Sequence, residues 1–265
     1  MAEGGRQKLI TLVVTSCFAY AFGFLAARFA YLLGLAGFGW VEGREPFLSH
    51  NQVVFNAAGS ILADAGGLIV VLGLGVVLTA ILPGPGAHGV ARMTVLWTAL
   101  HAFLFALQII LVVPFQSDGI GATLAAYGKL PDLAVWILAG VAAAVVVGMG
   151  FFAGPFFLKF APKREHFEER WVRLRLALLI IAVPWLIGSV IAAIALWPFE
   201  GLLLSIGLAA IVVAISVVAM ASSSLDQKWD PTKPTMPIVS GLLLVALIWV
   251  FGFALRPGVD IPPWG

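Results

Sequence analysis

Seven stretches of this chain are each long and apolar enough to cross a lipid bilayer, and that repetition limits the fold more than any motif. They cover approximately 9–35, 53–82, 93–114, 133–157, 174–197, 202–221 and 238–255. A spanning helix needs about 20 mostly apolar residues, because ~30 Å of hydrocarbon is crossed at 1.5 Å per residue. Barrel strands would instead alternate over roughly ten residues. Composition agrees: 62% of the 265 residues are apolar and 11% are charged, against roughly 45–50% and 25% in soluble domains. The expected fold is all-α, a polytopic transmembrane bundle of about seven spans, within a range of six to eight. A soluble enzyme, a disordered chain and a disulfide-stapled module are excluded. Cys17, inside an apolar run, reports nothing on redox compartment.

The breaks between runs are chemically simple. Pro83-Gly84-Pro85-Gly86 ends the second run and Gly128-Lys129-Leu130-Pro131 separates the third from the fourth. Residues 226–235 form a polar loop with two prolines. Pro184 is expected to interrupt the fifth span. The charged segment 159–175 mixes Phe160, Phe167 and Trp171 with its charges, which suits either a short helix lying on the membrane surface or a solvated loop. Gly140, Gly148, Gly150 and Gly154 are expected at close helix contacts, the last two at small-xxx-small spacing. Trp40, Trp136, Trp171, Trp197 and Trp264 lie near span ends, where indole prefers the interface. The first run is too long for a signal-peptide core and is expected to be a retained helix.

Charge orients the bundle. With the N-terminus inside, the inner segments hold Arg6, Lys8, Arg92, the six cations of 159–175, Lys228 and Lys233, while the outer ones hold Arg44, Lys129 and Arg256. The positive-inside bias therefore predicts a cytoplasmic N-terminus and an outer C-terminus, in what reads as a bacterial inner (cytoplasmic) membrane. A net charge of +2 gives no reason to expect nucleic acid. Membrane lipids and other integral membrane proteins are the expected partners.

Ionisable groups within spans are costly and usually meet a partner or a cavity. Arg28 lies on the first span, Asn56 and Asp64 on the second, His101 and Gln108 on the third. Arg28 and Asp64 are placed to pair across neighbouring helices. His101 and Gln108, seven residues apart, share a helix face. A transmembrane haem wants two axial histidines at matching depth, and only His101 is well inside a span, so no cofactor is expected.

Three segments, taken in order over residues 1–130, resemble the core of the site-2 protease family of intramembrane zinc metalloproteases. Tyr20-Ala21-Phe22-Gly23-Phe24, followed by Leu25-Ala26-Ala27-Arg28, aligns with that family's His-Glu-x-x-His helix. Phe55-Asn56-Ala57-Ala58-Gly59-Ser60 resembles its Ala-Ala-Gly-Pro turn, with serine in the proline slot. Gln108 through Pro114-Phe115-Gln116-Ser117-Asp118-Gly119 resembles its Asn-x-x-Pro stretch leading to Asp-Gly. The resemblance implies former metal-motif positions at Tyr20, Ala21, Phe24 and Asp118. Tyrosine, alanine and phenylalanine now stand where the two histidine ligands and the glutamate would be, and catalytic zinc normally has three protein ligands. The implied protein is a catalytically degenerate relative, a pseudoprotease without metal or catalytic residues, whose apolar turn fills the old metal pocket. Residues 131–265 would add four further spans and the charged segment at 158–175. The expected function is non-catalytic binding or scaffolding of other membrane proteins, as an accessory subunit of a larger complex. The competing expectation is a small transporter or channel with a polar path through Arg28, Asp64, His101 and Asp118.

Overall fold

The computed structural model describes residues 3–56, 61–82, 89–116, 120–161, 168–198, 201–223 and 238–262. It is an all-α bundle in which six helices are long and apolar enough to cross a membrane. Helix α1 is Glu3–Val41, α2 is Ile61–Ile81, and α3 is Gly89–Val112, closed by a 3-10 turn at Val113–Phe115. A short α4, Ile120–Tyr127, precedes α5, Asp132–Leu158. Helix α6 covers Arg170–Leu196 and α7 covers Leu202–Ser222. The seventh apolar run forms the shorter α8, Ile238–Trp249, prolonged by a π-turn at Val250–Ala254.

The second span begins later than its hydropathy suggests. Pro46–Leu48 (β1) and Val53–Phe55 (β2) form an antiparallel hairpin, with Phe47 opposite Val54. The β-branched pair Val53-Val54 favours extended backbone, and the turn between the strands is closed by Ser49. Its amide donates to the Gln52 carbonyl at 2.9 Å, and its hydroxyl donates to Asn51 Oδ1 at 2.9 Å. A third strand, Val259–Asp260 (β3), pairs with β1 from the far end of the chain. This three-stranded cap sits where α1 ends and α2 begins. Because α7 starts at this same end and finishes at Ser222, α8 must travel back through the bundle to deliver β3. Among the described residues, six long helices and the shorter α8 run along the bundle.

Within hydrocarbon, helices gain little by hiding apolar surface from an equally apolar solvent, so close packing and hydrogen bonds must hold them together. One continuous core contains buried side chains from both halves of the sequence, including Leu25, Leu32, Trp97, Phe157, Ile180, Met220 and Phe251. On α5, a Cβ placed at Gly150 would lie 2.6 Å from the Ile215 Cβ, and one at Gly154 would lie 2.7 Å from the Ala219 Cβ. These two glycines therefore set the α5–α7 contact. Gly140 and Gly148 do not: nothing lies within 4 Å of a Cβ built at either, since both face away from α7.

Pro184 does not break α6. A π-turn at Leu178–Ala182 precedes it, and the helix continues from Val183 to Leu196. Proline has no N–H to offer the carbonyl four residues earlier, that of Ile180. The Ser16 hydroxyl of α1 donates to that carbonyl at 2.6 Å, and Trp97 Nε1 of α3 donates to the Ser16 oxygen at 3.0 Å. A backbone acceptor lacking its usual helical donor is thus met by a relay joining three spans.

The charged segment after α5 is also shorter than expected. Arg170, Arg173 and Arg175 belong to the first turns of α6, and Arg173 Nη1 donates to the Ser223 carbonyl at 2.9 Å. The side chain thereby ties the start of α6 to the end of α7. Trp171 is exposed near this end, and Trp136 and Trp197 are exposed near the other ends of their helices. Residues 162–167 and 224–237, with the polar loop, and Trp264 lie outside the described residues.

Candidate functional site

Two polar regions emerge from the sequence candidates, and the structure separates them. The first is the bundle centre, built by α1 and α3. Tyr20, Ala21 and Phe24 are all buried there. Tyr20 meets Trp97 edge-on at 4.9 Å between ring centroids and His101 at 4.5 Å; Phe24 meets His101 at 5.1 Å and Phe105 at 5.2 Å. Edge-to-face contacts of this kind each contribute about 0.5–1.5 kcal/mol beyond area. The helices approach closely because position 23 is glycine: a Cβ there would lie 2.8 Å from the Thr98 nitrogen. The Tyr20 hydroxyl shares a hydrogen bond of 3.1 Å with the Ser189 hydroxyl on α6. His101 is enclosed by these rings, and its Nε2 has no hydrogen-bond partner among the described residues.

The second region is a cavity of about 520 Å³ near the capped end, whose polar lining is Arg28, Tyr31, Asn51, Gln52, Gln108 and Gln116. Arg28 is buried, donates through Nη2 to the Asn51 carbonyl, and lies 5.2 Å from the Tyr31 ring centroid. Asn51 in turn donates through Nδ2 to the Pro198 carbonyl at 2.6 Å, fastening the hairpin to the loop after α6. On the opposite wall, Ser205 donates to Gln108 Oε1 at 2.6 Å and Gln108 Nε2 donates to the Gly201 carbonyl at 3.4 Å. The apolar walls include Leu32, Leu35, Phe105 and Leu204. Such a chamber, greasy with a few fixed polar groups, has the general character of a ligand pocket.

Several sequence expectations are corrected by this geometry. His101 and Gln108 do sit two turns apart on α3, but His101 is in the aromatic centre and Gln108 lines the cavity. Asp64 is in the first turn of α2, because the hairpin consumes the residues assigned to the start of that span. A carboxylate there is favoured by the helix N-terminus, and Arg44 is the cation whose charge acts on it. Arg28 is held by the hairpin carbonyl, and the ion pair recorded among the described residues is Arg44–Glu42 at 3.4 Å. Asn56 precedes α2 and donates to Glu45 Oε2 at 2.7 Å, so it is a loop residue outside the span. Asp118, with Ser117 and Gly119, and the segment 57–60 lie outside the described residues.

Sequence reasoning missed Asn51, Gln52, Ser205 and Gln116. Asn51 and Gln52 had a readable signal, a polar Ser-His-Asn-Gln turn between two short β-prone segments. Ser205 had none, since one serine in an apolar helix is ordinary. No protein-family model, curated protein or solved structure matches this chain.

Proposed function

We propose that this chain is a non-catalytic integral membrane protein that binds or scaffolds other membrane proteins, as an accessory subunit of a larger complex. In this reading it is a degenerate relative of the site-2 proteases, seated in a bacterial inner membrane with its N-terminus in the cytoplasm. The observation that carries the reading is the bundle centre. Where the resembling enzymes keep ligands and a base, Tyr20, Ala21 and Phe24 are buried among Trp97, His101 and Phe105. Their side chains offer neither a metal-binding pair nor a carboxylate at those positions.

The exposed face of α5 supports the partner half of the proposal. Only 22% of its most apolar window is buried within the chain, the smallest share of the six long helices. Gly140 and Ala144, one turn apart, are both exposed on it, a spacing that allows a second helix to approach closely. The transporter reading draws less support, since His101 is enclosed by rings and does not line the Arg28 cavity.

Purification in mild detergent, with metal analysis by mass spectrometry, tests both halves. The expected result is co-purification with a defined membrane partner that is lost in Gly140→Leu, and no stoichiometric zinc. A lone monomer in mild detergent, or stoichiometric zinc that disappears in Asp118→Ala, would overturn the reading.

A further inference from the structure

At the end of the bundle opposite the strand cap, two cations stand over an apolar groove. The groove, of about 410 Å³, runs between α2, α3 and α5 and is lined by Leu82, Leu96, Ala99, Phe103, Gly148 and Phe152, among others. Helical periodicity places the cations on the same faces. Arg92, Leu96, Ala99 and Phe103 follow one another at i, i+4, i+7 and i+11 along α3. On α5, Lys159 lies two turns beyond Phe152, and its backbone is still helical at φ −63° and ψ −15°. The Trp97–Phe157 ring contact at 4.9 Å clamps the two helices beside the cations.

Arg92 and Lys159 are both half-buried, and each carries a positive charge within electrostatic reach of the other. Partial burial, and then the charge of Arg92, push the Lys159 ammonium below its ordinary value. The Lys159 Nζ lies 4.7 Å from the Phe156 ring centroid. No carboxylate among the described residues forms an ion pair with either cation. Two cations at the bilayer boundary, with no ion-paired carboxylate among the described residues, complement a phosphate. A deep apolar groove directly beneath complements a hydrocarbon chain. Basic pockets between membrane helices bind anionic headgroups in this manner.

We propose that this groove is a binding site for an anionic phospholipid, with its phosphate between Arg92 and Lys159 and one acyl chain against Gly148 and Phe152. The site requires only that the chain is embedded in a membrane.

Gly148 offers a test that spares the fold, because a Cβ there meets nothing within 4 Å. Detergent-purified full-length protein is titrated with phosphatidylglycerol and with phosphatidylcholine of identical acyl chains, and bound lipid is counted by native mass spectrometry. The expected result is one tightly held phosphatidylglycerol per chain, preferred roughly 30-fold, as two interfacial cations would give. In the double variant Arg92→Gln, Lys159→Gln the preference should vanish while residual binding of both lipids persists. In Gly148→Leu both lipids should weaken, with an unchanged melting temperature in lipid-free detergent. Equal binding of the two lipids by the wild type, or a preference that survives the double variant, would overturn the headgroup assignment. Unaltered binding in a folded Gly148→Leu protein would overturn the groove.

Discussion

A hydroxyl in a hydrocarbon-filled bundle either satisfies a neighbour or destabilises the fold, and Ser16 satisfies two. It accepts from Trp97 Nε1 and donates to the Ile180 carbonyl that Pro184 cannot serve. Ser16→Ala would leave an indole N–H and a backbone oxygen buried with no water to replace the hydroxyl. Stability should fall by about 1–3 kcal/mol, read as a lower midpoint of denaturant unfolding in micelles. An unchanged midpoint would mean that Ile180 finds another donor within the π-turn. Serine in a run such as Val14-Thr15-Ser16-Cys17 is legible as polar, but its partners are not: they lie 81 and 164 positions away. The same holds for the aromatic centre. The sequence makes Tyr20 and Phe24 neighbours on one helix face, and only the crossing of α1 with α3 brings His101 between them.

At the scale of elements, glycines separate into those that permit contact and those that leave space. Gly154 faces the backbone nitrogen of Met220 and the Ala219 Cβ, each 2.7 Å from a built Cβ, whereas Gly148 faces nothing. Gly154→Ala should therefore push α5 from α7 and destabilise by about 1–3 kcal/mol, the usual scale of overpacking. Gly148→Ala should be neutral or slightly stabilising, because alanine is the better helix former by roughly 1 kcal/mol in a free helix. Thermal unfolding of the two variants in one detergent makes the comparison. Equal melting temperatures would contradict the assignment of the α5–α7 contact. Spacing alone groups all four glycines of α5 together, since which face turns inward depends on the neighbours. The second span shows the opposite difficulty. Hydropathy extends it back to Val53, and pairing of that segment with Pro46–Leu48 draws it out of the helix.

For the whole molecule, the pairing of β3 with β1 returns the chain to the capped end after α8 and puts Gln7 and Asp260 at opposite ends of the bundle. Cys17, the sole cysteine, is buried, so single cysteines introduced at exposed Gln7 and Asp260 give a clean readout. An impermeant thiol reagent should label Gln7→Cys and Asp260→Cys from opposite sides of sealed vesicles. Labelling from the same side would mean six crossings and a detached last helix. In the proposed orientation the Gln7 side is the cytoplasmic one.

The sequence by itself determined the membrane environment, the approximate spans and the all-helical architecture. These follow from hydrocarbon thickness and the need of every backbone group for an internal partner, properties that act residue by residue. The tertiary structure decided which polar groups belong together. Arg28 went to the hairpin carbonyl of Asn51, Asp64 to a helix N-terminus, Gln108 to Ser205, and Arg92 to the side of Lys159. Each association depends on helix rotation and crossing, set by shape complementarity among similar apolar surfaces, and hydropathy carries no record of it.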